Sequence, residues 1–519
     1  MKIRRCAATV SETEEAIQPV FTSQNAIFNY SLSISASHRK GVSIALSSTV
    51  LSHSVQSSAA VSSLGVGCPG LFCPTQSQDG ILTRIRVPGG QISRSQLETL
   101  LKILEAIEAT DLLITNRANL QWRSPRTLNS HELQALQSVG LAADPAIDHL
   151  RNILVSPLAG FDPTAIANTV PIVEALNQWI SQATHLAELS AKFSIGVDGG
   201  EALSVRDRLN DIWFVAESEN LFRLCFGMGE DEANIQTSIV TDDCVGWVAA
   251  IAQVYLDESD RLIVQPDAAK KHRRSQKPRL RDVIRSVGVD RFLQRCDPPK
   301  SPLVRGTLKT AQTVVVSGKV STSEESDGSV SLRLPVPPLP RGARGDRHLE
   351  ITLPLGYFSI AQLRSLIDCF IQFELFDLRL TPWQSLIIPG IAIDRVSDLT
   401  TELISAQLDP NPNHPAKGIV ACSGRSGCAA AATHAKEHAL GLIQLLQSQT
   451  TTRLLSSIHI SGCEKRCAQK KDGEMTLIGI DRSGEEFYEV WLNGQRQPME
   501  FTPDEAIDWV LNGKVLTHA

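Results

Sequence analysis

Two segments of this chain share one pattern of apolar and polar positions. Residues 87–121 align without gaps on residues 353–387, at an offset of 266. In both segments apolar residues recur at three- and four-residue intervals, which is typical of one face of a helix. They are Leu97, Leu100, Leu101, Leu104 and Ile107 in the first copy, and Leu363, Leu366, Ile367, Phe370 and Phe373 in the second. Ser93 and Ser359 precede the two predicted helices as candidate N-caps.

Short predicted strands flank each helix. ILTRIRV and LEITLPL precede the helices, and LLIT and LRLT follow them, so each copy is a β-α-β-β unit. Such a unit is about half of a ferredoxin-like sandwich, and two halves can complete one sheet together. The offset continues further, because Arg151–Ser156 falls on Lys417–Cys422 and Lys192–Val197 falls on Ile458–Cys463. We therefore predict an α/β (α+β) fold of two homologous halves, with a site at their interface.

Composition sets the expected domain boundaries. Residues 16–78 contain no Asp or Glu and positions 31–63 are rich in Ser, which predicts a disordered leader at 1–63. An organelle transit peptide is the alternative, and the glutamates at 12, 14 and 15 disfavour it. After the leader we expect a first ferredoxin-like half-domain at 64–140, a first α/β domain at 141–300, a linker at 301–346, a second half-domain at 347–410 and a metal-binding α/β domain at 411–519.

Charge and hydropathy exclude several classes of protein. The net charge of -6 gives no general attraction to nucleic acid or anionic membranes, and no apolar run is long enough to span a bilayer. The basic stretch Lys270–Arg281 is interpreted as a solvated loop or helix face rather than a binding patch. Eleven cysteines without a secretory signal indicate a reducing compartment, so we expect a cytoplasmic protein.

Two closely spaced cysteine pairs carry the main chemical signal. Cys422 and Cys428 form C-x5-C, and Cys463 and Cys467 form C-x3-C about 35 residues later. Each pair follows a short apolar strand, where loops can bring four sulfurs together. Four thiolates suit zinc or an iron–sulfur cluster, and the five-residue spacer favours a 4Fe–4S cluster over structural zinc. Buried, inert cysteines are the remaining alternative.

The residues around the pairs support a metal site. Glycines at 424, 427 and 462 permit the tight backbone that a cubic cluster requires. An Ala- and Leu-rich helix is predicted directly after Cys428, with its positive end near the cluster. His434 and His438 lie four residues apart on it, but with no third ligand in view they are interpreted as surface or core histidines.

The cysteine spacing and the duplicated units together resemble the sulfite and nitrite reductase superfamily. Its landmarks in this chain are RIRVPGG, TNRANLQWR, RNILVSPLAG and KFSIGVDGG. Within the superfamily, CPGLF…DG (Cys68 to Gly80), RLTPWQSLIIPG (Arg379 to Gly390) and SGCEKRCA look like the precorrin-3B synthase family. Two departures from the reductases point the same way: Glu464 and Lys465 replace Pro-Asn between the last two cysteines, and Ser194 replaces a lysine.

The resemblance implies a set of site residues. Basic side chains that neutralise a carboxylate-rich tetrapyrrole, and neutral side chains that bind its rim, would be Arg84, Arg86, Arg117, Asn119, Gln121, Arg123, Asn152 and Lys192. Lys465 and Arg151 are the catalytic candidates. The metal ligands would be Cys422, Cys428, Cys463 and Cys467.

The same resemblance implies a function. A precorrin-3B synthase-like monooxygenase hydroxylates precorrin-3A with dioxygen and forms a γ-lactone in aerobic cobalamin biosynthesis, using a 4Fe–4S cluster and a mononuclear non-haem iron. No Rossmann-like GxGxxG, which would join a predicted strand to a helix, appears, so a separate reductase or ferredoxin is expected to donate electrons. The alternative is a siroheme-dependent ferredoxin sulfite or nitrite reductase in which Cys467 bridges cluster and haem iron. A zinc-stabilised scaffold without catalysis is a third reading.

Overall fold

The structure is a computed structural model that describes residues 69–227, 233–264, 278–296, 347–448, 455, 457–469 and 472–512. The predicted leader, the predicted linker and Cys68 lie outside these residues. No described helix is long and apolar enough to cross a membrane.

The two repeated units form two antiparallel sheets and exchange one short strand each. The first sheet runs in the order β1 (Thr75–Ser77), β2 (Gly80–Ile85), β5 (Leu120–Ser124), β4 (Asp111–Ile114) and β12 (Tyr357–Ser359), and the second in the order β11 (Arg347–Thr352), β14 (Ser385–Ile391), β13 (Asp377–Leu380) and β3 (Gln91–Ser93). The expectation of one shared sheet is wrong. Each half instead lends the other the strand before its helix, so that β12 pairs with β4 and β3 with β13.

The predicted helices and their caps are present in both copies. They are α1 (Arg94–Ala106) and α7 (Ile360–Gln372), accompanied by α2 (Ser130–Ser138) and α8 (Val396–Ser405). Ser93 and Ser359 each accept a hydrogen bond from the backbone nitrogen of the third residue of their helix, and the side-chain oxygen of the glutamine there accepts one from the cap nitrogen. The predicted apolar faces are buried except at Leu101, which is half-buried and packs against the core.

Two α/β domains repeat one sheet topology. The first sheet runs β6 (Ile153–Leu154), β7 (Ile195–Asp198), β8 (Ile212–Ser218), β9 (Leu221–Phe226) and β10 (Ala233–Val240), and the second β15 (Ile419–Ala421), β16 (Ile458–Ser461), β17 (Met475–Arg482), β18 (Glu485–Leu492) and β19 (Gln495–Phe501). The first three strands are parallel and the last two antiparallel in both sheets. The accompanying helices are α3 (Val170–Ile180), α4 (Cys244–Val264), α5 (Leu280–Val287) and α6 (Val289–Arg295) in the first domain, and α9 (Gly424–Gly427), α10 (Ala435–Ser448) and α11 (Pro503–Asn512) in the second.

Strand register corrects the predicted correspondence of the halves. Ile153 pairs with Ile195, and Ile419 pairs with Ile458. The sheets therefore match Ile195 with Ile458, whereas the constant offset placed Ile458 opposite Lys192. The alignment of Lys192–Val197 on Ile458–Cys463 is wrong by three residues, because the segment before the second strand differs in length between the halves.

A shared backbone contact confirms the corrected register. Ile166 donates to the carbonyl of Gly199 at 2.7 Å in the first domain, and Ala432 donates to the carbonyl of Gly462 at 2.6 Å in the second. In both domains the loops after the first two parallel strands therefore meet. In the first domain the meeting loops are tied by a carboxylate, because Asp162 accepts a hydrogen bond from the nitrogen of Ala202 at 2.6 Å.

Glu201 in these first-domain loops gives the stability of the fold a pH dependence. Burial raises the pKa of Glu201 to about 7, and the nearby Asp198 acts in the same direction. The unfolded chain releases this proton near 4.5, so the free energy of unfolding falls as pH rises from 4.5 to 7.

We predict that Glu201→Gln removes this dependence. At pH 8 the variant should be the more stable protein, by at most about 3 kcal/mol, because Gln can still accept the hydrogen bond from Gly199 that Glu201 accepts now. Thermal unfolding of the wild-type protein and of the variant at pH 5 and pH 8 measures this pH dependence. Glu98→Gln, at a side chain that is 40% exposed, is the control; equal pH dependence of the wild-type protein and Glu201→Gln would contradict the prediction.

Candidate functional site

The two cysteine pairs lie at adjacent strand ends. β15 and β16 are parallel neighbours, so their carboxyl ends meet at one edge of the sheet. Cys422 directly follows β15, and Cys463 follows β16 after one glycine. The nitrogen of Gly462 donates to Sγ of Cys422 at 3.1 Å. The predicted meeting of two loops distant in sequence is therefore present in the fold.

Glycine is required where the two loops touch. Gly424 has a φ of +62°, and a side chain there would collide with the backbone nitrogen of Ala435. A side chain at Gly462 would press on the Cα of Gly424 and the methyl group of Ala431. A side chain at Gly427 would meet the Asp79–Arg123 ion pair, whose Nε–Oδ1 distance is 2.6 Å. This backbone is compact enough to hold a metal cluster at its surface.

The four cysteines of the two loops are more exposed than the cysteines of the core. Cys422, Cys428 and Cys463 are partly exposed, and Cys467 is exposed. By contrast Cys225, Cys244, Cys296 and Cys369 are buried. Burial raises the pKa of the Cys244 and Cys296 thiols to about 12, so these stay protonated. Because thiolates are the metal-binding form, Cys244 and Cys296 are poor metal ligands.

The described residues do not converge on a single ion. Among them, no group of three or more His, Cys, Asp or Glu is arranged to hold one metal ion. Zinc draws four ligands to about 2.3 Å from one centre, whereas a cubic cluster spreads its cysteines over separate irons. The described residues give no ligand set for a mononuclear iron.

The helix after Cys428 starts later than predicted. Residues 428–434 are irregular, and α10 begins at Ala435 because Ala431 and Ala432 bond to the cysteine loops instead of a helix. Nδ1 of His434 pairs with Glu486, and Nδ1 of His438 lies 2.8 Å from the hydroxyl of Tyr488. Both histidines are engaged by β18, which agrees with their interpretation as structural residues.

A strongly basic cavity of about 680 Å³ lies where the first half-domain meets the first α/β domain. Its polar and charged lining consists of Arg84, Arg86, Arg117, Asn119, Asn152, Lys192, Ser194, Asn210, Asp211, Arg279, Arg281 and Arg285. Seven of these are cations and one is an acid. Such a cavity favours a ligand with several negative charges.

Arg117 has its full charge available to the cavity. Its guanidinium donates to Oδ1 of Asn152 at 2.9 Å, to the carbonyl of Leu209 at 2.7 Å and to Oδ1 of Asn210 at 2.5 Å. All three acceptors are neutral, so they orient the side chain without cancelling its charge. Burial lowers the pKa of Arg117 to about 10, Asp211 opposes the shift, and Arg279 adds to it. An anion in the cavity would stabilise the charged form of Arg117 and so oppose this lowering of its pKa.

The tight turn from Thr115 to Asn119 joins the cavity to the cysteine loops. The nitrogen of Thr115 donates to the carbonyl of Asn119 at 2.8 Å, and Ala118 adopts a φ of 53°. Arg117 lines the cavity, while the neighbouring Asn116 donates to the carbonyl of Ala468, next to Cys467, at 3.3 Å. One turn therefore contacts both parts of the site.

Some predicted residues hold other side chains or backbone in place, and Gln121 and Arg123 do not line the cavity. Gln121 does not line it; its Oε1 accepts two hydrogen bonds from Arg84, at 2.8 and 3.1 Å. Oδ1 of Asn119 accepts from the nitrogen of Val87 at 2.9 Å. Arg123 pairs with Asp79 against the Cys428 loop.

The two catalytic candidates lie outside the cavity lining. Arg151 is 3% exposed, and its guanidinium is occupied by Asp148, Asn177 and the carbonyl of Gly140. The landmark segment RNILVS therefore contributes Asn152 to the cavity and Arg151 to the core. Lys465 is exposed on the loop between Cys463 and Cys467.

Three arginines of the cavity lining were not predicted from the sequence. Arg279 and Arg281 belong to the stretch interpreted as solvated, and Arg285 follows it, yet all three line the cavity. Arg279 makes a two-pronged ion pair with Asp211, at 2.8 and 3.0 Å. The signal was the clustering of arginines next to an amphipathic helix. Asn210 carried no such signal, because its role appears only through Arg117.

Comparisons with known proteins agree with this fold. The family model for the nitrite and sulphite reductase 4Fe–4S domain matches residues 146–301, and the model for the nitrite/sulfite reductase ferredoxin-like half domain matches residues 74–133 and 341–406. The chain therefore carries the domains of the nitrite and sulphite reductase superfamily. The matched 4Fe–4S domain is the first α/β domain, so the match does not itself locate a cluster on the cysteine loops.

Particular relatives are nitrite reductases. The chain is 25% identical to the ferredoxin–nitrite reductase of Synechococcus elongatus, over 80% of each chain. It is 24% identical to the chloroplastic ferredoxin–nitrite reductase of Zea mays, over 77% of this chain and 69% of the relative. The NirA protein of Mycobacterium tuberculosis has a similar structure, with a TM-score of 0.61 and 20% identity, covering 83% of this chain and 79% of that one.

The placement of Arg151 and Arg84 gives a testable separation of roles. We predict that Arg151→Met destabilises the fold by about 3–5 kcal/mol, because it leaves the buried Asp148 without its partner. Arg84→Gln should change the midpoint of thermal unfolding little, because that side chain lies at the cavity. Thermal melts of both variants provide the measurement. Equal stability of Arg151→Met and the wild-type protein would contradict the structural role.

Proposed function

We propose that this chain is a redox enzyme of the nitrite and sulfite reductase type. It would hold a 4Fe–4S cluster on Cys422, Cys428, Cys463 and Cys467, hold a siroheme-type tetrapyrrole in the basic cavity, and reduce nitrite or sulfite with electrons from ferredoxin. The observation that carries the proposal is the Thr115–Asn119 turn, which touches the residue beside Cys467 on one side and the cavity on the other.

The cavity fits a carboxylate-rich macrocycle. Its arginines come from different elements, and planar guanidinium groups bind carboxylates with two parallel hydrogen bonds. The volume of about 680 Å³ is within the range of cofactor sites. Arg117, held by neutral partners, supplies an oriented positive charge near the turn.

The bound groups would supply electron storage and an iron atom that binds the oxyanion. The chain's own residues would do the rest. The cysteine loops hold the cluster close to the surface, as the exposure of Cys467 suggests. Lys192, on the cavity wall, is the available proton donor and anion ligand, while Arg84 and Arg117 fix the macrocycle's side chains.

The named relatives favour this reading over the monooxygenase predicted first. They are ferredoxin–nitrite reductases, and their similarity covers 80% and 77% of this chain. One observation nevertheless favours a precorrin-3B synthase-like monooxygenase as a second candidate. Ser194 lines the cavity, and its hydroxyl bonds to Asp211 at 3.2 Å. The cation expected there for binding a small oxyanion is thus replaced by a neutral side chain next to an acid.

Anaerobic purification of the full chain tests the proposal. We expect siroheme absorption bands, iron together with acid-labile sulfide, and reduction of nitrite or sulfite by reduced methyl viologen. Iron–sulfur absorption without a macrocycle, combined with dioxygen-dependent turnover of precorrin-3A, would establish the second candidate instead. Zinc without iron or sulfide would contradict both.

The ligand assignment has its own test. We predict that Cys463→Ser loses most iron and sulfide and all activity, because a cubic cluster depends on each of its thiolates. Cys369→Ala is the matched control, since Cys369 is buried in the core away from the loops. The control should keep its iron–sulfur absorption. A Cys463→Ser protein with unchanged absorption and activity would show that the cluster is held elsewhere.

A further inference from the structure

The loop between the last two cysteines contains a residue with an unusual backbone. Arg466, between Cys463 and Cys467, adopts a φ of 47°, in the left-handed region that favours glycine. We propose that Arg466 is a positioning residue, whose side chain ties this loop to β18 and so fixes the place of Cys467 in the metal site. This inference rests on the proposed function, because the place of Cys467 matters only if its thiolate binds the cluster.

The backbone at Arg466 closes a tight turn on the first cysteine of the pair. The nitrogen of Arg466 donates to the carbonyl of Cys463 at 3.2 Å. The same carbonyl accepts a hydrogen bond from the hydroxyl of Ser461, the last residue of β16, at 2.9 Å. A left-handed φ is unfavourable for a residue with a Cβ and persists only where surrounding contacts offset its cost. The contacts of the arginine side chain supply that compensation.

Two contacts of the guanidinium group hold this turn. Its Nη1 forms an ion pair with Oδ1 of Asp472. Its Cζ lies 4.9 Å from the ring centre of Trp491, which is within the range of a cation–π contact. The side chains of Arg466 and Asp472 are only 21% and 30% exposed, so solvent screens their attraction less than that of a fully exposed pair.

Trp491 gives the arginine a fixed support. It lies in β18, which runs between β17 and β19 in the sheet of the second α/β domain. Trp491 is opposite Thr476 of β17 on one side and Arg496 of β19 on the other. The side chain of Arg466 therefore ties the cysteine loop to a strand that is paired along both of its edges.

The chain is held on both sides of Cys467. On the far side, the carbonyl of Ala468 accepts the hydrogen bond from Asn116 of the Thr115–Asn119 turn, at 3.3 Å. Arg466 thus ties the loop to its own domain, whereas Ala468 ties it to the first half-domain. Because Cys467 is exposed, it gains little support from core packing, and these two contacts on adjacent residues fix its position.

The position of a ligand thiolate affects the properties of the cluster that it holds. The reduction potential of an iron–sulfur cluster responds to charge, hydrogen bonds and solvent exposure around its sulfurs. Residues behind the ligands set their orientation and the affinity of the site for its metal. Loss of the Arg466 contacts should therefore shift the reduction potential and make the cluster easier to remove, even where the fold is intact.

Replacement of Arg466 by glycine separates the side-chain contacts from the backbone conformation. Glycine adopts a left-handed φ without cost, so a role limited to the backbone predicts an unchanged cluster in Arg466→Gly. The positioning role predicts a weakened one. After anaerobic purification of the full chain, we expect Arg466→Gly to lose iron to the chelator bathophenanthroline about tenfold faster than the wild-type protein, in line with a lost charge-assisted hydrogen bond. The reduced cluster should also show a changed electron paramagnetic resonance spectrum and a shifted midpoint potential.

Two further variants are the controls. Arg466→Lys keeps a cation within reach of Asp472 and Trp491 and should restore most of the resistance to the chelator. Gln407→Gly makes the same kind of exchange at an exposed residue of the second half-domain with a φ of 57°, and it should leave the cluster unchanged.

The outcomes distinguish the inference from the proposed function. If Arg466→Gly keeps the wild-type rate of iron loss, spectrum and potential, Arg466 is not a positioning residue, while the cluster and the proposed function stand. If Arg466→Lys loses iron as fast as Arg466→Gly, the cationic contacts with Asp472 and Trp491 are not what holds the loop, and the inference is wrong. If the wild-type protein contains neither iron nor sulfide, the proposed function fails and the inference with it.

Discussion

The candidate site depends on one tight turn between two strands of the first half-domain. Its two middle residues point to different parts of the molecule: Asn116 bonds to the backbone beside Cys467, and Arg117 enters the basic cavity. The strained φ of Ala118 is maintained because the backbone of Thr115 and Asn119 closes the turn on either side. In the proposed function two redox groups must lie close together for electron transfer, and this turn contacts both the cysteine loops and the cavity.

Duplication explains how one scaffold provides two unlike regions. In both α/β domains the loops after the first two parallel strands are joined by the same backbone hydrogen bond, made by Ile166 in one and Ala432 in the other. The first domain adds a carboxylate tie at Asp162, whereas the second has cysteines in these loops. The shared bond positions the loops, and their side chains then differ: a hydrogen-bonded carboxylate in the first domain and cysteines in the second.

The repeat, the helix caps and the cysteine pairs were predictable because each rests on local sequence. Strand exchange was not, because β3 and β12 are three residues each and their partners lie in the other half. The type of a residue also did not predict where its side chain lies. Arg151 and Asn152 are neighbours in the sequence, yet Arg151 is buried in the core and Asn152 lines the cavity. Arg279 and Arg281 were assigned to solvent because a run of basic residues is usually a solvated face, and the cavity wall that they join forms only on folding.

The charge of the cavity supports its assignment as a ligand site more strongly than the shape of the cavity does. Seven cations and one acid line a space in which the acid is already paired with Arg279. Such crowding of positive charges destabilises a folded protein. Burial lowers the pKa of Arg117, and the neighbouring arginines lower it further. A structural role alone would favour pairing Arg117 with a carboxylate of the chain, as Arg151 is paired with Asp148. The neutral groups around Arg117 orient its charge without cancelling it, so an anion in the cavity would be stabilised by this side chain.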